Sequence, residues 1–187
     1  MVKLNKIYTR TGDDGTSGLV DGSRVAKDGL RMQAIGDVDE ANSVLGVAIS
    51  AMTKGGEGDP AALRRIQNEL FDLGADLATP DGIDGALRIE AAQVERLETE
   101  IDTMKADLPT LDSFVLPGGS PATAQLYLAR AVVRRAERKA VALAAEETVN
   151  DQALAYLNRL SDHLFVAARS VAVRGSGEIK WKPGSTR

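Results

Sequence analysis

Hydrophobic residues recur at helical spacing in five stretches of the chain, and breaks that contain glycine or proline separate these stretches. The stretches cover about residues 32–52, 60–77, 90–107, 121–147 and 150–174. The second of them shows the spacing of an amphipathic helix most clearly, through Leu63, Ile66, Leu70, Leu73 and Leu77. All six prolines lie outside the interiors of the stretches. The pattern therefore predicts five α-helices.

Signals at the ends of these stretches support the same helices. Asp59-Pro60 and Ser120-Pro121 each join an N-cap acceptor to a proline at the first helical position, and Gly175 ends the last stretch. Strand-like alternation is nearly absent. We therefore predict an all-α fold, an antiparallel five-helix bundle of the ferritin-like up-and-down type, over residues 30–174.

The chain ends do not follow this pattern. Residues 1–29 mix five glycines with Thr, Ser and Asp and show no sustained helical period, so we predict an N-terminal arm that is a loop. Its glycines could turn backbone N–H groups toward a phosphate, although such a stretch is usually only a loop and the Walker pattern is absent. Residues 175–187 form a short tail, and we expect one domain over residues 1–187.

Composition narrows the classes of protein. With 187 residues, 43% of them hydrophobic, the chain can bury one sizeable core. The absence of cysteine excludes disulfides, cysteine-ligated metals and a thiol nucleophile, and one histidine, His163, excludes sites that need two imidazoles. We therefore expect no metal centre built by the protein. The net charge of −4 argues against binding to nucleic acid or anionic membranes. Without a membrane-length apolar run or a signal segment, a cytoplasmic protein is expected.

The fourth stretch carries an unusual row of charges. On a helical wheel, Arg130, Arg134, Glu137 and Arg138 share a stripe with apolar residues, and further apolar residues cover the opposite side. We expect such a helix to be largely buried, so each arginine needs an anionic partner. Glu137 and acids of neighbouring helices, or a solvated face, would satisfy the row. An external anion such as a polyphosphate would also satisfy it.

Two further positions leave alternatives open. Asn158 and Asp162 lie one turn apart on one face of the fifth helix, where they could pair with the arginines or bind a sugar or base. Phe114, in a turn-rich segment before the fourth helix, could pack that loop on the bundle or cover a planar ligand.

Seven segments, taken in order, resemble a known family. They read YTRTGDDGT from residue 8, RVAKD from 24, GDVDEANS from 36, LGADLATP from 73, FVLPGGS from 114, ARAVVRRAER from 129 and YLNRLSD from 156. This series is similar to the PduO-type ATP:cob(I)alamin adenosyltransferases and covers nearly the whole chain.

The resemblance implies a reaction and its partners. It implies transfer of the 5′-deoxyadenosyl group of ATP to the cobalt of a reduced corrinoid, with release of triphosphate, in a homotrimer whose sites lie between subunits. Mg²⁺ would be carried on the phosphates. A flavin reductase and an adenosylcobalamin-dependent client enzyme would be partners. Because cob(I)alamin is itself a strong nucleophile, no nucleophilic side chain is required. An ATP sensor or adenosylcobalamin carrier with little turnover is the alternative.

The resemblance also assigns residues. ATP would be held by one set in the arm and a second set on the last two helices: Thr9, Arg10, Thr11, Gly12, Ser17, Gly18 and Lys27, then Arg134, Arg135, Ala136, Glu137, Arg138 and Asn158. Arg130 would pair with Asp39 across the subunit interface, and Asp162 would be a site acid. Phe114 would pack on the lower face of the corrinoid and displace its axial base. Arg130, Arg134, Asp39 and Phe114 form the predicted catalytic group.

Three positions depart from the family pattern. Tyr127 stands where many members carry histidine, and Ala41 and Ala167 stand where leucine is common. None of the three is among the residues assigned to the nucleotide.

Overall fold

The computed structural model describes residues 7–187, so the first six residues of the predicted arm lie outside the described residues. Five helices follow one another as α1 (Leu30–Gly55), α2 (Ala61–Leu77), α3 (Ala91–Ala106), α4 (Pro121–Ala144) and α5 (Asp151–Arg174). Two short strands, β1 (Thr16–Gly18) and β2 (Arg24–Ala26), precede them. The prediction of five helices is confirmed.

Helix α4 begins at the predicted cap Ser120, and α5 begins at a side-chain cap on Asn150. The Ser120 side chain accepts a hydrogen bond from the Thr123 N–H at 3.2 Å, and the Asn150 side chain accepts one from the Gln152 N–H at 3.0 Å. Asp59 accepts from the Ala61 N–H, so α2 begins after Pro60 rather than at it. The remaining boundaries differ from the prediction by about three residues or fewer, as is usual at frayed helix ends.

The core lies between packed helices, which run antiparallel in the α1–α2, α1–α4 and α4–α5 pairs and parallel in the α3–α5 pair. Helix α4 packs most extensively against α1 on one side and α5 on the other, while α2 packs on α1 and α3 on α5. Leu45, Leu70, Leu97, Leu126 and Leu157, one from each helix, are almost completely buried. Each such side chain stabilises the fold by about 2 kcal/mol. Within residues 7–187 no helix has both the length and the apolar character needed to cross a membrane.

The N-terminal arm contains a β-hairpin, which the prediction of a loop missed. Strands β1 and β2 pair antiparallel with Thr16 opposite Ala26, and Asp21 and Gly22 lie in the connecting turn. Gly22 has a φ of 83°, a conformation that glycine adopts without strain. The hairpin contacts the bundle where the Val20 N–H donates to the Ala78 carbonyl, at the end of α2.

The C-terminal tail pairs with the segment before α4. Val115 and Lys180 form an antiparallel bridge. On either side of it, the Leu116 N–H donates to the Ile179 carbonyl and the Trp181 N–H donates to the Phe114 carbonyl, each at 2.8 Å. This two-stranded pairing, called here the tail ladder, connects the two ends of the α4–α5 hairpin.

Candidate functional site

The first part of the candidate site is the groove between α4 and α5, called here the arginine furrow. The Arg130 guanidinium lies 5.5 Å from the centre of the Phe165 ring. One turn on, Arg134 Nη1 is 3.4 Å from Ser161 Oγ and 3.6 Å from a Glu137 carboxylate oxygen. The antiparallel packing of the helices thus places the predicted arginines opposite the predicted face of α5.

Asn158 joins the same furrow, one turn farther along α4. Its side-chain amide donates to Glu137 Oε1 at 2.8 Å. Since Glu137 also faces Arg134, one carboxylate is shared between an amide and a guanidinium. The furrow therefore presents more cationic charge than the adjoining carboxylate can neutralise.

Of the alternatives for this row, the structure shows the solvated face for Arg134 and Arg138, whereas Arg130 is partly buried. The Arg134 side chain is 45% exposed, and Arg138 is exposed as well. The apolar neighbours Leu128 and Val141 are also about half exposed. The side of α4 that faces the core carries both large and small residues, among them Leu126, Val133 and Ala136, and Arg134 and Arg138 lie outside it. The guanidiniums consequently keep donors available for a ligand.

Asn158 and Asp162, one turn apart on α5, differ in their contacts. Both are exposed. Asp162 bonds to Arg159 on its own helix at 3.0 Å, so among the described contacts it does not pair with an α4 arginine. Asn158 lies in the furrow, and Asp162 lies outside it.

Consecutive positions of α4 point in different directions. Arg135 faces α1, where it bonds to Glu40 and lies 3.3 Å from Asp37. The hydrogen bond with Glu40 raises the pKa of Arg135, which stays charged. Ala136 has no exposed surface and packs in the core. Arg138 returns toward the furrow side and donates to the Arg134 carbonyl at 3.0 Å.

The second part of the candidate site is the arm, whose loop is held by two cations. Lys27 Nζ donates to the Gly12 carbonyl at 2.7 Å, and Arg24 donates to the Thr11 carbonyl at 2.6 Å and to the Thr16 hydroxyl. A Cβ on residue 12 would lie 3.0 Å from Lys27 Nζ and 3.1 Å from the Thr16 carbonyl. Glycine at this position therefore allows the lysine to approach the backbone. Arg24 was not among the predicted site residues. Its place on β2, opposite Gly18 of β1 across the Asp21-Gly22 turn, is the signal that could have found it.

The other predicted arm residues line the same loop. The Thr9 and Thr11 hydroxyls are 2.8 Å apart, and Arg10 has a φ of 62° with its guanidinium 5.9 Å from the Tyr8 ring centre. Ser17 and Gly18 belong to β1. The hydrogen bonds that the described structure shows for the side chains of residues 9–27 stay within the arm. Among the described residues 9–27, no side-chain hydrogen bond therefore joins the arm to the furrow of the same chain.

The third part is the aromatic end of the molecule. Phe114 is 77% exposed, and its ring centre lies 6.1 Å from that of Trp181. Ser113 donates from its hydroxyl to the Trp181 carbonyl at 2.7 Å. Because alternate residues of a strand share a face, Phe114 and Leu116 lie on one side of the tail ladder with Ile179 and Trp181. The sequence did not show that the tail contributes to this apolar surface.

Asp39 lies apart from Arg130 within one chain. It is exposed on α1 and lines a cavity between α1 and α2, beside Phe71, which is 68% exposed. Arg130 instead lies against Phe165 on α5. The predicted pairing of Arg130 with Asp39 remains a prediction that needs a second copy of the chain.

Comparisons with known proteins give a consistent result. A family model described as cobalamin adenosyltransferase matches residues 7–171. The chain is 50% identical to a corrinoid adenosyltransferase of Mycobacterium tuberculosis over 100% of this chain and 97% of that protein. It is 46% identical to a corrinoid adenosyltransferase of Bacillus subtilis over 95% of this chain and 92% of that protein.

Solved structures agree with the sequence relatives. A phenylalanine-to-histidine variant of a PduO-type ATP:corrinoid adenosyltransferase from Lactobacillus reuteri, complexed with cobalamin and ATP, superposes with a TM-score of 0.87 at 35% identity, over 95% of this chain and 97% of that chain. An arginine-to-lysine variant of the Lactobacillus reuteri enzyme, complexed with ATP, gives 0.86 at 35% identity, over 94% of this chain and 99% of that chain.

Proposed function

The chain belongs to the cobalamin adenosyltransferase family, and from this premise we propose how its own residues carry out the reaction. It is a transferase that moves the 5′-deoxyadenosyl group of ATP to the cobalt of cobalamin, with release of triphosphate. ATP and the corrinoid are therefore its substrates.

The bond changes decide what the protein has to supply. The electron pair of Co(I) forms the new bond to C5′ of ATP, and the C5′–O bond breaks with its electrons leaving on triphosphate. The substrate, not a side chain, is the nucleophile. The residues of this chain therefore align the reacting atoms and stabilise negative charge on the leaving group.

The observation that carries the assignment is the incomplete pairing of the furrow arginines. Arg134 is half exposed, and its nearest carboxylate, Glu137, is 3.6 Å away and shared with Asn158. Guanidinium groups with free donors match phosphate oxygens in geometry and charge. Arg134 and Arg138 would hold the triphosphate, and Asn158 and Glu137 would orient the nucleoside. Arg135 and Ala136 would support them from the α1 contact and the core.

The arm would supply the second half of the nucleotide site. The loop of Thr9, Arg10, Thr11 and Gly12 with Ser17 and Gly18 offers hydroxyls and backbone N–H groups, which suit phosphate. Lys27 would exchange the Gly12 carbonyl for a phosphate oxygen. Mg²⁺ would be bound by the phosphate oxygens that it prefers. Within residues 7–187, no group of three or more acidic, His or Cys side chains is arranged to hold a metal.

We propose that a neighbouring copy completes each site in a homotrimer. The described side-chain hydrogen bonds of residues 9–27 do not reach the furrow of the same chain, and no ion pair among the described residues joins Arg130 to Asp39. The half-exposed Val141 lies on the arginine stripe of α4, where an interface would cover it. In this arrangement Arg130 pairs with Asp39 of the neighbouring copy.

Phe114 would contact the lower face of the corrinoid. Its exposed ring lies on the apolar side of the tail ladder, where it can occupy the position of the axial base. Loss of that base makes Co(II) easier to reduce. The proposal also includes two partner proteins: a flavin reductase that supplies electrons and a client enzyme that takes the product. The location proposed for the protein is cytoplasmic.

The reaction is tested by mixing the protein with ATP, Mg²⁺ and chemically reduced cobalamin. We expect the visible spectrum to show Co–C bond formation and triphosphate to appear in equal amount. The control omits the protein. No bond formation above that control would reject the assignment and favour a carrier or sensor.

Phe114→Ala tests the aromatic part of the site. We expect the rate from Co(II) cobalamin to fall about tenfold or more, with the KM for ATP unchanged, because the ring acts on the corrinoid. Leu87→Ala, which removes another exposed apolar side chain, is the control. Loss of ATP binding in Phe114→Ala would show that the residue belongs to the nucleotide site instead.

Complementation tests the shared site. Lys27→Ala and Arg134→Ala are each expected to be nearly inactive alone. In a mixed oligomer, a site is intact only when its arm comes from an Arg134→Ala chain and its furrow from a Lys27→Ala chain. With equal amounts of the two chains, about a quarter of the sites meet both conditions. Absence of recovery in a mixed oligomer would contradict a site built between copies.

A further inference from the structure

A buried ion pair fastens the C-terminal tail to α5, outside the parts of the molecule proposed to hold ATP. Arg169 of α5 is 6% exposed, and the Glu178 side chain in the tail is 7% exposed. Arg169 Nε donates to Glu178 Oε1 at 2.7 Å, and its Nη2 donates to Oε2 at 3.2 Å. Because two parallel hydrogen bonds fix orientation as well as distance, the carboxylate is held in one position.

The same guanidinium also reaches the connection between α3 and α4. Its Nη2 donates to the Pro109 carbonyl at 2.8 Å. Phe114 lies farther along this connection. A buried guanidinium is stable only while its acceptors stay in place. Arg169 therefore joins three parts of the chain, which are α5, the tail and the connection that carries Phe114.

Glu178 immediately precedes the tail residues that hold Phe114. The Ile179 carbonyl accepts from the Leu116 N–H, and the Trp181 N–H donates to the Phe114 carbonyl, each at 2.8 Å. The Trp181 ring also lies beside the Phe114 ring. The backbone of Phe114 is thus held by the tail, and the tail is held by Glu178. The position of the Phe114 ring therefore depends on the buried ion pair.

The other contacts of the tail are weaker supports. Lys180 pairs with Asp112 at 2.5 Å, but the two side chains are 45% and 77% exposed, and such pairs contribute little to stability. The Gly177 N–H donates to the Ala172 carbonyl at the start of the tail, before the ladder. Among the described residues 175–187, Glu178 is the one charged residue that is not exposed.

We propose that Glu178 is a positioning residue for the corrinoid, which acts by fixing the tail ladder and thereby the Phe114 ring. The inference rests on the proposed function, in which that ring contacts the lower face of the corrinoid. Glu178 itself is buried against Arg169 and acts through the ring. A displacement of about 1 Å in a group that acts on the substrate can lower the rate about 100-fold, so the ring requires firm support.

Glu178→Ala tests this role by comparing two starting states of the substrate. One rate is measured from Co(II) cobalamin with reduced flavin as electron donor, and the other from Co(I) cobalamin prepared beforehand. We expect the Co(II) rate to fall about fivefold or more, while the Co(I) rate and the KM for ATP stay within about twofold. A general loss of structure would lower both rates together. Urea unfolding shows that the variant is folded under the assay conditions.

A double variant distinguishes action through the ring from a separate effect. If Glu178 only positions Phe114, then Glu178→Ala combined with Phe114→Ala lowers the Co(II) rate no further than Phe114→Ala alone. Losses that multiply in the double variant would overturn the proposal. Tryptophan emission provides an independent readout, because release of the tail ladder would expose the Trp181 ring to water and move its emission to longer wavelength.

Two further variants complete the experiment. Asp112→Asn removes the exposed ion pair of the same ladder and is expected to keep both rates of the parent enzyme. Glu178→Gln keeps an acceptor for Arg169 and is expected to recover part of the lost Co(II) rate. If Glu178→Ala does not fold, Glu178→Gln is judged on the same two rates. An unchanged Co(II) rate beside an impaired Phe114→Ala would reject the positioning role and leave the proposed function intact.

Discussion

Helix α5 carries charged contacts on two sides, and the two sides differ in how completely the chain pairs them. Toward α2 and α3, the buried Glu69 accepts the Tyr156 hydroxyl at 2.7 Å and pairs with Arg96 at 2.5 Å. Beside it, Arg65 pairs with Glu100. Toward α4, the furrow arginines share few acids and are half exposed.

This difference separates charges that support the fold from charges that serve a ligand. A buried carboxylate is stable only when the chain supplies its donors, as the Tyr156 hydroxyl and Arg96 do for Glu69. An arginine with free donors at the surface lowers the stability of the unliganded protein little, because water solvates it, and the substrate then supplies its anionic partner. Exposure and pairing, not the number of arginines, therefore identify the furrow.

Arg134→Ala is expected to lower activity more than any other variant. If activity did not fall, the distinction between the two sides of α5 would be wrong. Removing a donor to the leaving triphosphate should lower kcat/KM for ATP about 100- to 1000-fold, with the free energy of unfolding changed by less than about 0.5 kcal/mol. Steady-state adenosylation and urea unfolding measure the two quantities. Arg64→Ala, an exposed arginine on α2, is the control. Equal losses of activity in both variants would contradict a special role for the furrow.

Glu69→Ala tests the other side of α5. The variant leaves Arg96 and the Tyr156 hydroxyl without their buried acceptor, so the free energy of unfolding should fall by about 3 kcal/mol. The KM for ATP should stay within twofold because Glu69 does not face the furrow. Glu95→Ala, exposed on α3, should leave urea unfolding nearly unchanged. A stable Glu69→Ala protein with impaired ATP use would reverse the assignment.

The pH dependence of unfolding tests the contribution of Glu100, which lies on the paired side of α5. The pKa of Glu100 lies at about 2, below its usual value of 4.5, so its ionised form stabilises the fold above pH 4.5. That stabilisation is lost as the pH falls from 4.5 toward 2. In Glu100→Gln, the free energy of unfolding should be lower at neutral pH and should fall less over this interval. Glu98→Gln, an exposed partner of Arg159, should keep the parent pH dependence.

The smallest effect is expected at Asp162. Because its contact is the exposed Arg159 on the same helix, Asp162→Asn should change the free energy of unfolding by less than about 0.5 kcal/mol. We expect kcat/KM to stay within about threefold of the parent enzyme. A loss above tenfold would show that Asp162 acts on substrate after all.

The helices were predictable because their signals are local. Leu63 to Leu77 repeats at helical spacing, and the serine and asparagine caps stand at the starts of α4 and α5. The hairpin was equally local, since Asp21-Gly22 is a turn signal between two short strands, but the glycine-rich surroundings concealed it. Local chemistry thus predicts most of the fold.

The environment of the arginines could not be predicted in this way. The core side of α4 carries large and small residues together, such as Leu126, Val133 and Ala136, whereas Leu128 and Val141 are exposed. A helical wheel places the arginines on one stripe with Leu126 and Val133, and only the packing of the helices shows which edge of that stripe stays exposed. Partners such as Arg65 and Glu100, from different helices, become visible only when the helices pack.

The tail ladder has one practical consequence. Trp181 is the only tryptophan of the chain, and its ring lies beside Phe114. Its emission therefore reports from a known place, without any attached dye. A coloured corrinoid that binds at this aromatic end would quench the tryptophan fluorescence by energy transfer. The rate of corrinoid binding could therefore be measured separately from the rate of adenosylation.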